Sequence, residues 1–212
     1  MDAAETHPTR AALVQAALEL FGQQGFDATS TRQLAERAGV NVAAISYHFG
    51  GKAGLRSACA QAVVSRISQA FGAAMDSDMP QSPAAAADQI EAVLRRLVSL
   101  LVAAPDTQGM VAFVLRELSH PGEVTDTIYS QVFAPRHAHL CRLWAIATGQ
   151  PPEAEATRLT VFSIIGQVLY FRIAQPIVER RMDWAGIGQE QAGQIADVVV
   201  RNLRATLERH QI

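Results

Sequence analysis

The sequence predicts an all-α protein. A small N-terminal domain of three helices, residues 1–50, is followed by a larger helical domain, residues 51–212. Apolar residues recur at i, i+3 and i+4 along most of the 212-residue chain, while Val/Ile/Thr alternation at period two is scarce. Glycines and prolines fall mainly between these periodic stretches, as punctuation. With 49% apolar residues, the chain has enough material for a sizeable core.

The elements follow in order. Residues 1–8 are polar, end in Pro8 and should be loose. Thr9 can cap a helix over 9–24, with Leu13, Ala16, Ala17, Leu20 and Phe21 as its apolar stripe. Gly25 ends that helix and Phe26 packs back. The next stretch, 29–52, reads TSTRQLAERAGVNVAAISYHFGGK and holds two short helical patterns around a glycine turn. Ser30 and Gln33 form a capping box for the first. Leu34, Ala35 and Ala38 give it a narrow apolar face, and Gly39 supplies the left-handed residue that stops it. Asn41 caps the second. Val42, Ile45 and Phe49 are spaced to face inward, which leaves Ala43, Ala44, Ser46, Tyr47 and His48 on the other faces. This is the pattern of a helix-turn-helix, whose second helix can lie in a DNA major groove.

Charge supports that reading locally. Between residues 30 and 56 the cations Arg32, Arg37, Lys52 and Arg56 face the single anion Glu36. The whole chain has a formal net charge of −2, which argues against a general nucleic-acid coat and for a reader of sites.

A long helix over 51–75 follows, with Leu55, Cys59, Val63, Ile67 and Phe71 on its apolar stripe. At ~1.5 Å per residue it would span roughly 37 Å and join the head to the body. Residues 76–83, DSDMPQSP, read as a linker. Pro83 opens a helix running to 104, and Pro105 and Asp106 open another that ends near 120–122. A helix over 125–148 contains Pro135, which must kink or break it. The GQPP at 149–152 is a hard stop. Helices over 153–174 and 189–209 close the chain. The first is apolar on more than one face and so must be buried on two sides. Two such helices per subunit could build a four-helix interface about a twofold axis, with Phe162, Ile165, Leu169, Val198, Val199 and Leu203 as dimerisation candidates.

Polar groups set in apolar runs mark a ligand pocket. The candidates are Phe113, Arg116, Glu117, His120, Tyr129, His137, Trp144, Gln167 and Tyr170. Cys59 and Cys141 are far apart and show neither a disulfide framework nor zinc spacing. His137 and His139 are two apart and share no helix face, so no metal is expected. The chain has no nucleophile elbow, P-loop, HExxH or Glu-x-x-His pair, so neither an enzyme nor a cofactor is expected. The N-terminus has no apolar signal region and no long uncharged apolar stretch occurs, which points to a cytoplasmic protein without a membrane partner.

The stretch from Arg10 to Leu55 resembles the DNA-binding domain of the TetR family of transcriptional regulators. The matching residues are Ala17 to Phe21 (ALELF), Gly25-Phe26, Thr29-Ser30-Thr31, Leu34-Ala35, Ala38-Gly39-Val40, His48-Phe49 and Lys52. The phrases GVNVAAISYHFGGKAGL and FSIIGQVLYFR resemble the subgroup typified by the CecR regulator. The chain departs from the family where many members carry Lys or Pro at the position of Val42 and Tyr at that of Ser46. The resemblance implies a homodimer on a palindromic double-stranded DNA operator, usually a repressor released by a small-molecule effector. Thr9, Arg10, Ser30, Arg32, His48 and Lys52 are then the phosphate-positioning candidates, and Ala43, Ala44, Ser46 and Tyr47 the base-edge readers. The competing expectation is an all-α carrier or enzyme with a bundle pocket and no DNA partner.

Overall fold

The computed structural model describes residues 3–75, 78–104 and 107–210, and all regular structure among them is helical. In chain order the helices are α1 (Ala3–Gln24), α2 (Thr31–Ala38), α3 (Ala43–Phe49), α4 (Lys52–Met75), α5 (Pro83–Val98), α6 (Gln108–Leu118), α7 (Glu123–Ile128), α8 (Ala134–Thr148), α9 (Glu155–Ile173), α10 (Gln175–Met182) and α11 (Gln189–His210). Packing divides the chain into two units, Met1–Ser68 with Asp106–Val132, and Gln69–Pro105 with Phe133–Ile212. The sequence division at residue 50 follows the motif, whereas the packing division adds α6 and α7 to the head.

The first unit is built on α1. This helix starts at Ala3, with Pro8 inside it, so Thr9 is an interior residue and not the cap. Its buried face is Leu13, Ala17 and Phe21, joined by Leu34, Ile45, Leu55 and Phe113. Small residues let α1 and α6 approach closely. A Cβ added at Gly22 would stand 2.8 Å from the Phe113 amide nitrogen, and one at Gly109 would stand 3.0 Å from Glu19 Cγ. Beside that approach, Phe21 packs on Phe113 with ring centroids 6.4 Å apart.

The second unit is a bundle of α5, α8, α9 and α11 around Ile90, Leu94, Leu143, Trp144, Val168 and Leu203. Ser82 caps α5 by accepting from the Ala85 N–H at 3.2 Å, with Pro83 in the first turn. The expected single helix to 104 ends at Val98 and continues as a π-helical turn over Ser99–Ala103. Asp76, Ser77, Pro105 and Asp106, placed at the linker and the next helix start, lie outside the described residues. The expected helix over 125–148 is broken as Pro135 requires. It becomes α7, a π-helical turn over Tyr129–Phe133, and α8 with Pro135 in its first turn. Sequence reasoning passed over α10, which buries no residue and so carries no apolar stripe. At the surface, Arg204 pairs with Asp88 and Glu91, and Arg95 with Glu91 and Asp197, stitching α5 to α11.

Candidate nucleic-acid interface

Local chemistry fixes both helices of the motif. Ser30 Oγ accepts from the Gln33 N–H at 3.2 Å, and Gln33 Oε1 accepts from the Ser30 N–H at 2.8 Å, closing the capping box. Gly39 adopts φ 67°, which lets the Val40 N–H reach the Ala35 carbonyl at 2.9 Å and end α2. Asn41 Oδ1 accepts from the Ala43 N–H at 2.9 Å and caps α3. Ile45 is the buried anchor of α3, with Phe49 half-buried behind it. The outer face presents Ala43, Ser46 and Tyr47, the last 67% exposed. Ala44 and His48 are half-buried, and the His48 ring meets Tyr47 edge-on with centroids 4.9 Å apart. Val42 is a correction. It is 49% exposed because it stands before the first turn of α3, so the inward ridge of Ile45 and Phe49 does not extend back to it. It joins the outer surface instead.

The cations of the motif are mostly committed inside the fold. Lys52 Nζ donates to the carbonyls of Phe26 and Thr29, each at 2.8 Å, and lies 4.3 Å from the Phe26 ring centroid. It pins the turn before α2 to the start of α4. The exposed Ser30 uses its hydroxyl in the cap of α2. Arg37 pairs with Glu19. Arg56 donates to both carboxylate oxygens of buried Glu117, at 2.9 and 2.6 Å, and stacks 4.8 Å over Phe26. That carboxylate holds the Arg56 pKa above its ordinary value. Arg32 remains exposed on α2, and the Arg10 guanidinium lies 5.2 Å over the Phe49 ring. Thr9 is half-buried beside Arg10 in α1.

Two positioning groups were not anticipated. Buried Thr29 donates from Oγ1 to the Gly25 carbonyl at 2.6 Å, locking the turn after α1. Gly54 sits where α4 passes under the end of α3, and a Cβ there would come 1.9 Å from the Phe49 carbonyl oxygen. A glycine one turn into an otherwise regular helix was the available signal for such a close approach.

The nine expected ligand residues are divided between the units. In the first, Phe113 is core, Arg116 Nη2 donates to the Gln24 carbonyl at 3.2 Å, Glu117 holds Arg56, and His120 and Tyr129 are exposed. In the second, the His137 ring stacks on Phe162 with centroids 3.9 Å apart. Trp144 donates to Gln150 Oε1 at 3.1 Å, Gln167 Oε1 accepts from Asn202 at 2.8 Å, and Tyr170 is exposed. Trp144 borders a void of about 10 Å³ in the second unit, which is room for one water at most. A larger open groove, about 430 Å³, lies in the first unit between α1, α4 and the start of α6, and none of the nine borders it. Arg116, Glu117, Trp144 and Gln167 thus spend polar atoms on contacts within the fold, while Tyr129 and Tyr170 stand exposed.

Of the dimerisation candidates, Phe162 is 59% and Val198 40% exposed, while Ile165 and Leu169 are half-buried. Val199 and Leu203 are corrections, because the seam of α11 that carries them faces the bundle's own core. Leu159, Tyr170 and Ile173 extend the exposed apolar stripe of α9 in their place.

Comparisons with known proteins agree with this geometry. Residues 13–59 match the family model described as bacterial regulatory proteins, tetR family. Residues 86–209 match the model of the C-terminal domain of the HTH-type transcriptional dual regulator CecR. The chain is 32% identical over 201 residues to the HTH-type transcriptional dual regulator CecR of Shigella flexneri, covering 92% of this chain and 90% of that relative. It is 29% identical over 162 residues to the HTH-type transcriptional regulatory protein RaaS of Mycobacterium tuberculosis, covering 75% of this chain and 69% of that one. The crystal structure of AibR in complex with isovaleryl coenzyme A and operator DNA has the same fold. It superposes with a TM-score of 0.67 at 17% identity over 91% of this chain and 96% of AibR.

Proposed function

Because the chain belongs to the TetR family of transcriptional regulators, with a C-terminal domain of the CecR type, we propose that it is a ligand-responsive repressor that binds a palindromic operator as a homodimer in the cytoplasm. Family membership makes it a regulator and sets the enzyme reading aside. The observation that carries the proposal is the outer face of α3, where Val42, Ala43, Ser46 and Tyr47 stand exposed on a helix anchored from behind by Ile45.

In this reading the face enters the major groove. Alanine and valine methyls meet thymine methyls, and Ser46 and Tyr47 hydrogen-bond to base edges. Arg10 and Arg32, with Thr9 and His48, touch phosphates and fix the register. So few free cations make binding modest in charge, and the apolar reading face leaves much of the specificity to DNA shape.

The stripe Leu159, Phe162, Tyr170 and Ile173, with Val198 of α11, pairs with its copy about a twofold axis. Reading two half-sites on one side of the duplex then requires the two reading helices to lie about 34–36 Å apart, or a multiple. An effector releases the DNA only as far as it binds another spacing better. The structure of AibR with both a small molecule and operator DNA supports this combination of partners.

The test is a mobility shift, over a range of salt, on DNA upstream of the gene. A salt-dependent shift that Tyr47→Ala weakens at least tenfold is the expected result. A folded dimer that shifts nothing at low salt would sink the proposal.

A further inference from the structure

The outer face of α3 is defined as much by what it lacks as by what it carries. From Val42 to Phe49 the chain has no arginine, lysine, asparagine, glutamine or carboxylate. Arginine or lysine pairs with guanine O6 and N7, and a carboxamide pairs with adenine N6 and N7. The neighbouring carboxamides do not make up the lack. Gln33 Oε1 accepts from the Ser30 N–H at 2.8 Å, and Asn41 Oδ1 accepts from the Ala43 N–H at 2.9 Å. Adenine pairs with both ends of one carboxamide, and both of these oxygens are held by the fold.

What the face does offer is of two kinds. Val42 and Ala43, both exposed, bring methyl groups at its leading end. Ser46 and Tyr47, one turn on from Ala43, bring hydroxyl groups on exposed side chains. A hydroxyl donates or accepts as its proton turns, so it suits thymine O4 and the cytosine N4 amino group alike. It suits adenine N6 and guanine O6 alike for the same reason. A side-chain methyl is less tolerant, since its apolar partner at a base edge in the major groove is the C5 methyl of a pyrimidine. Resting on the reading of α3 as the helix that enters the groove, we propose that this face recognises the pyrimidine C5 methyl group itself and does not tell thymine from 5-methylcytosine. Operator binding then answers to cytosine methylation. A cytosine methylated at C5 takes the place of a contacted thymine, and an unmethylated cytosine does not.

The test uses the full chain and the duplex it protects from cleavage upstream of the gene. Thymines in the protected stretch are replaced one at a time by deoxyuridine, which removes the methyl and keeps the pairing. At each contacted thymine Kd should rise about fourfold, the worth of one buried methyl-sized group. At those positions a C·G pair should bind as weakly as deoxyuridine, and 5-methylcytosine should regain most of the loss. Val42→Ala and Ala43→Gly, made separately at exposed positions and checked for fold by circular dichroism, should each abolish the response at the thymine that side chain meets. An effect of the missing methyl on DNA shape would persist in both variants, and that persistence would overturn the proposal. So would binding that ignores every deoxyuridine, or 5-methylcytosine binding no better than cytosine; either leaves operator reading standing. A chain that binds none of the duplexes overturns operator reading and this inference together.

Discussion

Gly54→Ala tests the corner that aims α3. A methyl group there would stand 1.9 Å from the Phe49 carbonyl oxygen and 3.0 Å from its carbon. A carbon and a carbonyl oxygen rest at roughly 3.3 Å or more, so one of the two backbones must yield by more than about 1 Å. No side-chain rotation can absorb this, because the obstacle is main chain. Overpacking against side chains costs about 1–3 kcal/mol, and a main-chain obstacle puts the cost at the top of that range, about 3 kcal/mol. For a chain of this length each kcal/mol moves the melting point by roughly 2–4 °C, so a loss of about 6–12 °C is expected. The assay is thermal unfolding by circular dichroism, with Gly193→Ala in α11 as control. A Cβ at Gly193 meets nothing within 4 Å, so that variant should gain about 0.5–1 kcal/mol from helix propensity. If Gly54→Ala melted within about 1 °C of the wild type while Gly193→Ala behaved as expected, the close passage of α4 under Phe49 would be refuted.

Other outcomes follow from the same contacts. Arg32→Ala should lower the salt slope of DNA binding by about 1, whereas Lys52→Ala should leave the slope unchanged and cost about 1–3 kcal/mol in urea unfolding, since its ammonium holds carbonyls. A reversed pattern would place Lys52 at a phosphate. Phe162→Glu places charge in the middle of the α9 stripe, so sedimentation should show monomers at concentrations where the wild type is dimeric; an unchanged mass would move the dimer interface elsewhere. Burial, and then the charge of Arg142, push the buried His139 imidazole below its ordinary pKa, so it stays neutral in the fold. The unfolded chain binds that proton first. The stability from His139 is therefore complete above about pH 6.5 and is lost as pH falls below it. His139→Gln should flatten the change in urea midpoint between about pH 7 and 5, and an identical slope in both chains would rule His139 out.

The capping box, the Gly39 turn and the Asn41 cap were legible because each is a local hydrogen bond between residues at most five apart in the chain. Pro135 was legible for the same reason, as a proline must interrupt the helix wherever it stands. What the sequence could not show is where a side chain spends its charge. Arg56 looked available from residue 30 to 56, but its partner Glu117 is 61 positions away. Lys52 looked like a phosphate ligand because its acceptors are main-chain carbonyls, which every residue has. Val199 and Leu203 show the same blindness on the apolar side, since a seam that could face a second copy equally suits the bundle's own core.

The contact of Gly22 with Gly109 carries a consequence for biosynthesis. The head's hydrophobic interior is unfinished until Phe113 arrives, some ninety residues after α1 has left the ribosome. At ordinary translation speeds that interval is on the order of ten seconds, during which Phe21 has no aromatic neighbour from α6. A nascent chain of this kind exposes its oldest apolar surface longest, and a fragment cut after α4 would keep that surface exposed permanently.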